Sequence, residues 1–187
     1  MAFTVVYDAN VLYPAPLRDL LIRVGMTGVV RAKWTDEILD EVFRNILANR
    51  PDLTMEQLGR TRELMNRAIR DVRVDGYQPL VASLELPDAG DRHVLAAAIE
   101  CGAQSIITHN LKDFPASKLE PHGVEAIPPD EFVLDLLDLA PGAVLRVLNE
   151  QQASLRNPPR TLEELMDTLE ANGLVRSMAQ ARSLLSA

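Results

Sequence analysis

The sequence predicts an α/β fold: a central parallel sheet with helices on both faces, followed by a small all-α C-terminal extension. Three observations predict it. Short aliphatic runs alternate with longer runs of helical periodicity, the pattern of a parallel sheet covered on both faces. The strand pattern stops after Pro141-Gly142, and only helical periodicity follows. Aspartates stand just after the apolar runs, where an open α/β sheet builds its ligand crevice.

Phe3-Thr4-Val5-Val6-Tyr7 reads as a buried strand, with Asp8-Ala9-Asn10 at its carboxyl end. Pro16 to Val24 reads as a short helix closing near Gly25, and Val29 to Trp34 is short and ambiguous. Thr35 caps a helix running to about Ala48, with Asp36 and Glu37 favoured in its first turn by the helix dipole. Ile38, Leu39, Val42, Phe43, Ile46 and Leu47 form its apolar face. Thr54-Met55-Glu56-Gln57 is a capping box that opens a long helix to about Val72, stapled by Leu53 and Leu58. A short helix follows over Gln78 to Leu84, then a helix from Ala89 to Cys101 stopped by Gly102. Ser105 to Thr108 and Val124 to Ile127 read as strands, and about Pro129 to Leu139 as a helix. The expected division is a main domain over residues 1–140 and an extension over residues 141–187. The extension carries helices at about 143–155, 162–171 and 178–185, two of them opened by the capping boxes Thr161-x-x-Glu164 and Ser177-x-x-Gln180.

At 187 residues, 47% of them hydrophobic, the chain can bury an aliphatic core without disulfides. Its single Cys101 falls in a helix and reads as a small buried apolar residue rather than a nucleophile. The first residues show no basic start followed by an apolar stretch, and no run approaches the roughly 20 apolar residues of a membrane span. A cytoplasmic protein with no membrane contact is the expectation. The net charge of −8 argues against a nonspecific nucleic-acid coat. Residues 44–73 are the exception, with seven arginines against four acids. Such a run is usually a solvated helix face. If it guides a polyanion, Arg60, Arg67 and Arg70 are its candidate contacts.

The chemistry lies in the aspartates. Asp8 ends the first strand, Asp88 and Asp91 open the helix before Cys101, and His109-Asn110-Leu111-Lys112-Asp113 follows the strand at 105–108. Alone, each has a bland explanation: a turn former, or an N-terminal residue of a helix, for which Asp88 is the better candidate. Together, carboxylates delivered to one crevice repel each other unless protons or a cation compensate. Mg²⁺ or Mn²⁺ suits such oxygen ligands. His93, His109 and His122 have no partner at metal-pair spacing and read as structural or solvent-facing. Asn10 occupies the position where a phosphoaspartyl enzyme wants its second Asp, and no G-x-G-x-x-G follows the first strand.

The chain resembles the PIN-domain ribonucleases, in particular VapC-type toxins of bacterial toxin–antitoxin pairs. The matching stretches are Val6-Tyr7-Asp8-Ala9-Asn10-Val11-Leu12, Trp34 to Val42, Leu86 to Ala98 with its Pro87-Asp88-Ala89-Gly90-Asp91-Arg92-His93 core, and Ile107-Thr108-His109-Asn110-Leu111-Lys112-Asp113-Phe114. Their order and spacing match over about residues 3–128. The resemblance implies a PIN-like sheet and a metal-binding, catalytic quartet of Asp8, Glu41, Asp91 and Asp113, with Asn10, Asp88, Thr108 and Asn110 as supporting polar residues. It also implies hydrolysis of RNA with Mg²⁺ or Mn²⁺ and inhibition by a small cognate antitoxin; homo-oligomerisation is compatible with it. Read from the residues alone, Glu41 sits off the centre of its helix's apolar face, with Asp40 and Glu37 as rival carboxylates. The alternative reading is a catalytically silent PIN-like module that binds RNA or protein.

Overall fold

The computed structural model describes residues 3–186. Four strands form one sheet in the order β2-β1-β3-β4: β1 (Phe3–Tyr7), β2 (Val30–Lys33), β3 (Ser105–Ile107) and β4 (Glu125–Ile127). Every pairing is parallel; Val5 lies opposite both Ala32 and Ser105. Val5 and Val6 point to opposite faces of β1, and both are fully buried, so helices cover both faces. The stretch Val29 to Trp34, ambiguous in the sequence, holds the edge strand β2.

The helices of the main body are α1 (Ala9–Leu12), α2 (Ala15–Met26), α3 (Asp36–Asn49), α4 (Met55–Ala68), α5 (Gln78–Val81), α6 (Arg92–Glu100), α7 (Ala116–Leu119) and α8 (Pro129–Leu139). Thr35 caps α3 by accepting the Ile38 N–H, and the Thr54/Gln57 capping box opens α4 as expected. α4 ends four residues before the expected Val72. The cause lies at the sheet edge: Trp34 donates its N–H to the Val72 carbonyl at 3.0 Å and accepts from the Val74 N–H at 2.9 Å. Satisfying those buried backbone groups draws residues 72–74 into extended conformation. The expected helix from Ala89 divides into a 3-10 turn, Ala89–Asp91, and α6. Gly102, at φ +63°, ends α6 in the left-handed conformation that suits glycine.

Tyr7 centres the core. Its ring stacks on Trp34 at 6.5 Å, meets Phe132 edge-on at 6.1 Å, and its hydroxyl donates to the Leu21 carbonyl at 3.2 Å. No described helix is long and apolar enough to cross a membrane.

Beyond α8 come α9 (Pro141–Ser154), α10 (Leu162–Ala171) and α11 (Val175–Leu185). Ala140 alone separates α8 from α9. The Thr161/Glu164 capping box forms, but the expected one at Ser177 does not. α11 begins before Ser177, which is buried, and its first turn is capped from a distance. Asp130 of α8 accepts the Arg176 N–H at 3.0 Å, the Ser177 N–H at 2.9 Å and the Ser177 hydroxyl at 2.7 Å. A cap supplied 47 residues upstream leaves no local signature.

This clamp ties α11 to α8. Asp130→Ala removes a charged cap worth about 2 kcal/mol at the upper end of the usual range. The melting temperature is expected to fall by roughly 4–8 °C, read by circular dichroism.

Candidate active site

Asp8 leaves β1 with a fixed side chain. One carboxylate oxygen accepts the Ala9 N–H at 2.7 Å; the other accepts the Asn10 amide at 2.8 Å and the Thr108 hydroxyl at 2.8 Å. Thr108, at the end of β3, is fully buried and joins two strand ends. Its hydroxyl also accepts from the Asn10 amide at 2.9 Å and the Asn110 N–H at 3.0 Å. Asn10 completes the network by accepting the His109 N–H at 3.0 Å.

The 3-10 turn after Asp88 separates the two acids that open α6. Asp88 caps the turn by accepting the Gly90 N–H at 2.7 Å, whereas Asp91 makes no capping bond. This is the division expected for the pair, with Asp88 as the structural member. Asp113 lies on the 3-10 turn Leu111–Asp113 and is bonded by the Asn110 amide. Glu41 projects from α3 and is half-buried.

These carboxylates share one electrostatic neighbourhood. Burial and then the charges of Asp8, Asp88, Asp113 and Glu41 push the Asp91 carboxyl up to about 7. Burial also raises Asp8, against the hydrogen bonds from Thr108 and Ala9, and Glu41 raises it further. Burial raises Glu41, with Asp88 and Glu37 adding to it and Arg44 opposing. None of Asp8, Glu41, Asp91 or Asp113 forms an ion pair among the described residues. Also among the described residues, no three His, Cys, Asp or Glu side chains stand close enough to hold one metal ion together.

The rivals of Glu41 have other partners. Asp40 is bonded by Arg62, and Glu37 accepts the Tyr77 hydroxyl at 2.9 Å. In the arginine stretch, Arg44 acts on Glu41 through its charge, and others pair locally. Arg62 pairs with Asp36 and Asp40, Arg67 lies 3.8 Å from Glu63, and Arg70 lies 3.5 Å from Asp71. Arg60 is exposed on α4.

Two histidines border the site more closely than their spacing suggests. His93 is buried, with Nδ1 3.8 Å from a Glu37 oxygen. Burial lowers its pKa, while the charges of Glu37 and Asp8 raise it. His109 stands exposed beside Asn10, and burial lowers its pKa against the field of Asp8. Their positions follow from Asp91 and Thr108, their close neighbours in sequence.

The PIN domain family model matches residues 4–112, more than half of the chain. The chain belongs to the PIN-domain family. Its PIN domain is followed by a match to the VapC50 C-terminal domain over residues 129–183, beginning on α8. A protein of Mycobacterium tuberculosis (strain ATCC 25618 / H37Rv), named "Putative ribonuclease VapC50", is 42% identical over 94 residues. That alignment covers 50% of this chain and 55% of the relative, so the chain spans about half the length of the protein it matches. No solved structure matches significantly.

The raised Asp91 makes metal-free stability depend on pH with a definite sign. Below its ordinary value of 3.8 the carboxyl is protonated whether the chain is folded or not. Between 3.8 and about 7 the unfolded chain ionises while the folded chain keeps its proton, so stability falls as pH rises through this window. Asp91→Asn is therefore expected to raise the melting temperature at pH 8 and leave it nearly unchanged at pH 3.5. Thermal melts in chelator across that range check it.

Proposed function

We propose that this PIN domain is a metal-dependent ribonuclease and the toxin of a toxin–antitoxin pair. One observation supports the reading: the charges of Asp8, Asp113 and Glu41 all act on the Asp91 carboxyl, and no cationic side chain is paired with any of the four among the described residues. The name of the mycobacterial relative supports the same direction.

The donor set fits Mg²⁺ or Mn²⁺. All four groups offer hard oxygen, and Mg²⁺ keeps several waters while taking one or two carboxylates. When bound, such an ion supplies Lewis acidity, making water a better nucleophile and offsetting charge on the phosphate. The chain's own residues hold the donors in place. Thr108 and the Ala9 N–H fix the Asp8 carboxylate, Asn10 braces it, and Asn110 holds Asp113. Asp91, without a capping bond, is the carboxylate free to engage a cation. Arg60 and Arg67 on α4, with Arg70 just beyond its end, are the candidate contacts to the RNA backbone.

The proposed partner is a small antitoxin with a basic residue that reaches the quartet and an apolar segment that packs elsewhere. A groove of about 960 Å³ between α2, α4 and the loop after α9 is the candidate seat for that segment. Met26 and Leu64 line it and remain 58% and 59% exposed. Its lining includes Arg156 and Arg160, so acids flanking the apolar segment complement it.

Asp8→Asn and Asp91→Asn are each expected to lower Mg²⁺-dependent cleavage of RNA by at least 100-fold, about 2.7 kcal/mol of transition-state stabilisation. Both variants should keep the wild-type circular dichroism spectrum. Full cleavage by either variant at saturating Mg²⁺ contradicts the assignment. Wild-type RNA binding without cleavage favours the silent module.

A further inference from the structure

His109 is the imidazole at the open rim of the crevice, and the C-terminal helices touch it. Its backbone is fixed by the bond from its N–H to Asn10, the residue that braces Asp8. Its ring meets the corner between α10 and α11. A Cβ placed on Gly173 would lie 3.2 Å from His109 Cε1 and 3.9 Å from Nδ1. Gly173 has φ +100°, a backbone conformation that already favours glycine, so the corner presents a bare backbone to the ring edge.

The corner is itself held firmly. The Gly173 N–H donates to the Glu170 carbonyl at 2.9 Å, and the buried Leu174 donates to the Leu169 carbonyl at 3.1 Å. Asp130 clamps the first turn of α11 three residues further on. Meanwhile Tyr7, Trp34, Tyr77, Phe114 and Phe132 are buried, which leaves them no free face for a ligand. His109 is exposed.

We infer that His109 positions the substrate by stacking on the nucleobase beside the scissile phosphate, and that Gly173 of the C-terminal extension fixes its ring there. The inference rests on the ribonuclease reading and extends it: the extension forms part of the crevice wall. An imidazole plane can stack on a base, and stacking is tolerant of sequence. Gly173 acts only through His109 and is a positioning residue.

The test is steady-state cleavage of a fluorescein-labelled 12-nucleotide RNA with Mg²⁺. His109→Ala is expected to raise KM about tenfold, the loss of one stacked base, with kcat little changed. His109→Phe restores KM, because it keeps a ring without a titrating nitrogen. Gly173→Ala raises KM in the same direction, and the His109→Ala/Gly173→Ala double variant is no worse than His109→Ala alone. A fall in kcat rather than a rise in KM for His109→Ala, or a His109→Phe variant as poor as His109→Ala, overturns the stacking role. Additive effects overturn the link to Gly173. An NMR cross-peak between the His109 Hε1 and a Gly173 Hα reports the contact in the unaltered protein, and its absence overturns the link as well. An unaltered protein that shows the cross-peak but neither binds nor cleaves RNA overturns the ribonuclease reading itself and this inference with it.

Discussion

Repulsion among half-buried carboxylates is the constraint around which this protein is organised. Asp8, Glu41, Asp91 and Asp113 come from a strand end, a helix, a 3-10 turn before α6 and a 3-10 turn after β3. Each element is held by its own packing, so the charges cannot simply move apart. Desolvation and mutual repulsion then act on the same group, and Asp91 bears most of the effect, with its carboxyl near 7. Arg44 opposes it at Glu41 but no arginine acts on Asp91, and Arg62 and Arg73 pair with Asp36 and Asp40 instead. A fold that retains such a cluster is less stable at neutral pH than one with neutral residues there. A bound cation would turn that cost into affinity.

The network around Thr108 makes the arrangement specific. One buried hydroxyl donates to Asp8 and accepts from Asn10 and Asn110, so the ends of β1 and β3 move together. Asn10 extends the network to the backbone of His109. Three of these bonds, Thr108 to Asp8, Asn10 to Thr108 and His109 to Asn10, join the segment after β1 to the segment after β3. Orientation fixed in advance is what phosphodiester chemistry requires, because little ordering entropy is left for the reaction to lose.

Local signals were readable in the sequence and distant ones were not. The capping residues Thr35, Thr54 and Thr161 were visible because each bonds a residue three positions away. The aspartates after β1 and β3 were visible because an apolar run ends just before them. The end of α4 was hidden, since it depends on the backbone of Trp34 pairing with Val72 and Val74. The start of α11 was hidden for the same reason, with its cap supplied by Asp130. Glu41 could not be separated from Asp40 and Glu37 on a helical wheel; their partners, Arg62 and Tyr77, separate them. The contact between His109 and Gly173 joins two segments with no shared periodicity.

Binding of Mn²⁺ tests the central claim most directly, because it needs no knowledge of the RNA. Titration calorimetry on the metal-free protein at pH 7.5 is expected to show carboxylate-dependent binding that is lost in Asp8→Asn and weakened at least tenfold in Asp91→Asn. It should be unaffected in Asp40→Asn, whose carboxylate pairs with Arg62 instead. No binding by the unaltered protein, or equal binding by all three variants, would contradict the account.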